Sequence, residues 1–150
     1  MTEMHHMDTT TQWVVPFDGS EHAIRALALA INEAKERHTQ PKLLVLNVQL
    51  PLSADVSRFI DGKTIDDFHR EAGEKALASS KDLLDASGVA HTLHILVGPV
   101  AHTIASFAAT QQCSMIIMGT RGHTSVTGLI MGSVTTRLLH ETTLPVLLTK

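Results

Sequence analysis

Two hydrophobic periods alternate along this chain, and that alternation is what most narrows the folds open to it. Residues 13–17 (Trp-Val-Val-Pro-Phe), 43–48, 91–97, 115–118 (Met-Ile-Ile-Met) and 145–149 (Pro-Val-Leu-Leu-Thr) are short apolar runs of strand length. Between them apolar residues recur at helical spacing: Ile24, Leu27, Ala28, Ile31 and Ala34; then Ile65, Phe68, Ala72, Ala76 and Leu83; then Val100, Ile104, Phe107 and Ala108; then Val134, Leu138 and Leu139. Runs such as Leu43-Leu44-Val45-Leu46 are apolar on both faces, which suits a parallel strand covered by helices on each side. The order βαβαβαβαβ predicts a single-domain, five-stranded parallel α/β sheet with right-handed crossovers and helices on both faces. The strand order expected is 3-2-1-4-5, the commonest for five strands, and ligands then sit beyond the carboxyl ends of the strands, at the switch between strands one and four.

Local signals punctuate that pattern. Residues 1–11 are polar, lack apolar periodicity and read as a disordered tail ahead of a domain at 12–150. Ser20 is a good N-cap with Glu21 in the first turn behind it, and the first helix fades near Arg37. Residues 49–63, with Pro51, Ser53, Ser57 and Gly62, read as a loop, and helix follows over 64–86 with Gly88 as its stop. Gly73 interrupts the middle of that helix at some cost in propensity. Pro99 suits the first position of the third helix, and Ser133 stands where the fourth would be capped.

The longest connection lies between strand four and the last helix. Strand-to-helix connections in compact α/β domains usually take roughly 2–6 residues, whereas about a dozen residues rich in Gly, Thr and Ser separate Met118 from Ser133. Gly119, Gly122 and Gly132 leave backbone N–H groups unshielded, and Ser133 adds a hydroxyl near the positive end of a helix dipole. Together these favour an anion, most naturally phosphate. The spacing is neither that of a P-loop nor a Gly-x-Gly-x-x-Gly turn, so spacing alone also fits glycines that merely permit a convoluted loop. Asp18 ends strand one and Gly119 ends strand four, so two independent signals fall on one crevice. Asp18 also suits an Asx turn supporting the first helix, a role compatible with ligand contact.

Composition excludes several classes of function. With 43% hydrophobic and 18% charged residues, the 150-residue chain can bury a substantial core. A net charge of −3 with scattered Lys and Arg offers no basic face for nucleic acid. No run is long enough to span a membrane, no signal peptide opens the chain, and Cys113 is the single cysteine, so the expectation is a cytoplasmic protein without an internal disulfide. Ten histidines invite a metal, but His5-His6 lie in the tail and His91 and His94 point to opposite faces of a strand, with no tetrahedral set nearby.

Several stretches carry a resemblance. Residues 14–21 (Val-Val-Pro-Phe-Asp-Gly-Ser-Glu), Val97-Gly98-Pro99, residues 115–122 with Gly132-Ser133, and Pro145-Val146-Leu147-Leu148 together resemble the universal stress protein family, over nearly the whole chain. The glycine motif is similar to that of its ATP-binding branch. The resemblance implies a Rossmann-like, adenine nucleotide alpha hydrolase-like fold and ATP or another adenine nucleotide as ligand. Gly119, Gly122, Gly132 and Ser133 would surround ribose and phosphates, with Val134 and Thr135 adding contacts. Met118 precedes the motif, Asp18 would lie beside the nucleotide, and Pro16 with the backbone of Val48 would border the adenine. Phe17 is bulky for a place near the base, and either stacks there or points into the core. Arg121 either reaches a phosphate or stays solvated, and Mg²⁺ would arrive with the phosphates.

The residues read as a binding site with at most slow ATP hydrolysis, and no clear catalytic apparatus accompanies it. Ser133, Ser125 and Cys113 are possible nucleophiles without an assigned base, and no pair of carboxylates is placed as acid and base. The last strand, 145–149, is apolar up to Lys150 and falls at a sheet edge, where a second copy of the chain is the simplest cover; the resemblance implies the same homodimer. The expectation is a regulatory adenine-nucleotide-binding stress protein. Its rivals are a nucleotide hydrolase or adenylyl-transfer enzyme, and an interaction protein with a vestigial pocket.

Overall fold

The apolar runs do form one sheet. In a computed structural model, which describes residues 10–121 and 131–150, the chain folds in the order β1 (Gln12–Pro16), α1 (Glu21–Glu36), β2 (Lys42–Gln49), α2 (Ala54–Ser57), α3 (Gly62–Ser87), β3 (His91–Val97), α4 (Val100–Thr110), β4 (Met115–Gly119), α5 (Ser133–Glu141) and β5 (Val146–Thr149). All neighbouring strands are parallel and the order is β3-β2-β1-β4-β5, as expected. Among the described residues no helix is long and apolar enough to cross a membrane.

The sheet separates two apolar clusters. On one face Trp13, Val15, Phe17, Leu43, Val45 and Ile117 pack against Leu27 and Ile31 of α1 and Leu77 and Leu84 of α3. On the other, Val14, Leu44, Leu46, Ile116 and Met118 pack against Ile104 and Phe107 of α4 and Leu138 of α5. Odd and even residues of β1 and β2 go to opposite faces, as strand geometry requires. Cys113 is 5% exposed in the second cluster, and burial pushes its thiol up to about 11.

The structure corrects four local expectations. Within 49–63, read above as loop, Ala54–Ser57 form a short helix capped by the Ser53 hydroxyl, and four residues are too few to show a period. The Asp61 carboxylate accepts from Thr64 N–H at 2.8 Å and starts α3 at Gly62, ahead of the expected Thr64. The buried face of α3 is His69, Gly73, Leu77, Ser80 and Leu84, one residue round from the stripe predicted through Phe68, Ala72 and Ala76. A Cβ on Gly73 would lie 2.6 Å from Ile95 Cγ2, so this glycine lets the helix press onto β3. Finally, Pro99 and Gly132 are the residues preceding α4 and α5, not Pro99 within α4 or Ser133 as cap. Lys42 N–H donates to Thr11 O at 2.8 Å, so pairing reaches the last residue of the expected tail; residues 1–9, with His5 and His6, lie outside the described residues.

Candidate functional site

Strand order decides where the polar residues converge. β1 lies between β2 and β4, so the carboxyl ends of all three meet at the switch point, and the start of α5 closes over the β4 end. A crevice of about 660 Å³ opens there, within the range of small-molecule sites. Pro16, Phe17, Asp18, Val48, Met118, Gly119, Arg121, Gly132, Ser133, Val134 and Thr135, all expected at a site, line it together. Gly122 and Ser125 fall outside the described residues.

The two ends of the crevice differ chemically. At the β4 end the backbone turns from Gly119 into α5, and Gly132 N–H donates to Thr120 O at 2.7 Å. The Thr135 hydroxyl is buried and donates to Gly119 O at 3.2 Å, pinning the helix start to the strand end. A Cβ on Gly119 would meet His22 Cβ at 2.8 Å, so glycine is needed where β4 passes α1. The side chains of Ser20, Ser53 and Asp61 cap α1, α2 and α3, whereas α4 and α5 have no side-chain cap, and of these two α5 starts at the β4 end of the crevice. Its first N–H groups, on Ser133, Val134 and Thr135, have no partner within the helix and carry the positive end of its dipole.

Asp18 lies two residues beyond the end of β1, and its carboxylate accepts from Ser20 N–H at 2.9 Å, while the Ser20 hydroxyl accepts from Ala23 N–H at 3.2 Å. The Asx turn expected from sequence is therefore present, and Asp18 still lines the crevice. Phe17 is 2% exposed and packs in the α1/α3 cluster, so its ring belongs to the core.

At the β2 end the walls are apolar: Leu50, Pro51, Leu52, Phe68, Val100 and Ile104 complete the crevice. Two polar residues there, Asn47 and Gln49, were not singled out from sequence. The signal available was Asn47 interrupting an otherwise apolar run. Its Nδ2 donates to Phe17 O at 2.9 Å, and Gln49 Nε2 donates to Asn47 Oδ1 at 2.6 Å. Among the described residues no three His, Cys, Asp or Glu side chains are grouped to hold a metal ion. The crevice thus joins backbone N–H donors at the start of α5 to apolar walls at the β2 end.

Comparison with known proteins identifies the family and the fold. Universal stress protein MJ0531 of Methanocaldococcus jannaschii is 31% identical over 143 residues, covering 91% of this chain and 80% of its own. The structure of the hypothetical protein MJ0577 superposes with a TM-score of 0.79 at 25% identity, covering 93% of this chain and 95% of its own. Two further structures share the fold at 20% identity: a universal stress protein in complex with cAMP (TM-score 0.68, 93% and 97% covered) and one from Archaeoglobus fulgidus in complex with dAMP (TM-score 0.67, 94% and 98% covered). The sequence profile of the universal stress protein family matches residues 11–150, and the chain belongs to that family.

Proposed function

We propose that this protein binds ATP, or another adenine nucleotide, in the switch-point crevice and acts as a cytoplasmic regulatory protein whose surface changes with nucleotide occupancy. The observation that carries the reading is the crevice itself: an uncapped helix N-terminus at one end, an apolar slot at the other, and every described site residue expected from sequence along its walls. Phosphates would lie against the N–H groups of Ser133, Val134 and Thr135, beside Gly119 and Gly132, with Arg121 within the same wall. Asp18 would accept hydrogen bonds from the ribose hydroxyls, and Pro16 and Val48 would border the base. Mg²⁺ would enter with the phosphates, since no group of protein ligands for it is formed among the described residues. The two fold relatives with bound adenine nucleotides support the ligand class, although at 20% identity they speak for the fold first. The protein would work as a homodimer through the open edge at 145–149.

The test is Gly132→Asp, which places a carboxylate where phosphate is expected. Titrated with ATP and Mg²⁺ in a calorimeter, the wild type should bind one nucleotide per chain and the variant should lose about 1–4 kcal/mol, the span of a like-charge pair near 4 Å between bulk water and a protein surface. Unchanged affinity in the variant would overturn the placement of the phosphates.

A further inference from the structure

Side-chain amides ordinarily turn either way round, because oxygen and nitrogen are nearly alike in shape. Here the backbone decides. Asn47 is 3% exposed and its Nδ2 donates to the Phe17 carbonyl, an acceptor only, at 2.9 Å. Asn47 Oδ1 must then face Gln49, whose Nε2 donates to it at 2.6 Å. Turning Gln49 over would set its oxygen against Asn47 Oδ1, and turning Asn47 over would set that oxygen against Phe17 O. Gln49 is thus locked, with Oε1 and a second N–H left for the crevice it lines. Oε1 has no hydrogen-bond partner among the described residues.

We infer that Gln49 reads the base of the bound nucleotide and selects adenine, with Asn47 as its positioning residue. The inference rests on the nucleotide reading above. If phosphates sit at the start of α5, over β4, the base lies at the far, apolar end over β2, two strand spacings or about 10 Å away. That end is where Val48, Leu50, Leu52 and Phe68 offer apolar walls and where Gln49 supplies a polar edge. Adenine presents an amine donor at C6 beside a ring-nitrogen acceptor, and an amide with fixed C=O and N–H meets both at once. Hypoxanthine and guanine carry a carbonyl at C6 and a proton on N1. Gln49 could meet them only by turning over, which the relay from Phe17 forbids.

Calorimetric titration with ATP and with inosine triphosphate, which differ at the C6 edge alone, tests this. The wild type should favour ATP by roughly 5- to 150-fold, the span of a good bidentate pair. Gln49→Met, which keeps the length and packing of the side chain, should bring the ratio close to one. The wild-type ratio needs no variant, so it judges the inference even if Gln49→Met fails to fold. Equal binding of the two nucleotides by the wild type overturns the role of Gln49 and leaves the site intact, as does an unchanged ratio in Gln49→Met. Binding of neither nucleotide overturns this inference together with the site on which it rests.

Discussion

Gly132 shows how much a single position can separate binding from folding. Its backbone is extended (φ −73°, ψ 166°), a conformation any residue adopts, and a Cβ there would come no nearer than 3.4 Å, to Thr120 O. Asp is among the preferred N-caps, so Gly132→Asp should leave the thermal midpoint unchanged or raise stability by a few tenths of a kcal/mol while weakening nucleotide binding. A large fall in midpoint would mean that the glycine serves the fold instead. That these positions line the crevice was legible because glycine and serine follow strand four, at the carboxyl edge of the sheet. Asn47 and Gln49 were not, because a polar residue near the end of a strand reads as the strand running out. Only the Phe17 carbonyl beneath Asn47 gives the pair its meaning, and sequence spacing does not bring residues 30 apart together.

At the level of elements, the helices and strands followed from apolar period, but the rotation of α3 did not. Its buried face uses His69, Gly73 and Ser80, residues that carry no hydrophobic signal, while the more apolar Phe68 stands 52% exposed at the crevice. The packing reason lies at Gly73. Gly73→Ala should destabilise the protein by about 1–3 kcal/mol through overpacking against Ile95, more than the roughly 1 kcal/mol that alanine returns in helix propensity. In an Ile95→Ala background the same change should become neutral or stabilising, since the three nearest atoms to the new Cβ all belong to that side chain. Urea denaturation of the four proteins measures this. A stabilising Gly73→Ala in the wild-type background would show that α3 does not press on β3 as described. The short helix α2 escaped notice for a simpler reason, having one turn and no buried residue.

For the whole molecule, β5 stands at one edge of the sheet. Ile116 N–H donates to Pro145 O at 3.0 Å and Thr120 N–H to Thr149 O at 2.9 Å, so odd-numbered residues of this strand turn their polar backbone toward β4. By alternation, Val146 and Leu148 turn theirs to the open side. If two chains pair along this edge, Leu148→Pro removes an outward donor without touching the bonds to β4, and sedimentation should show a monomer where the wild type is a dimer. A variant that remained dimeric would move the interface elsewhere.

The parallel order β3-β2-β1-β4-β5 makes the crevice a property of the whole sheet, since its two ends and its middle stand on three adjacent strands. The most direct measurement is therefore the nucleotide content of freshly purified protein, denatured and resolved by chromatography with mass detection. The expected result is near-stoichiometric ATP, or ADP and AMP derived from it. Protein that emerges empty, and takes up no nucleotide when titrated with ATP and Mg²⁺, would contradict it and make the crevice part of the scaffold alone.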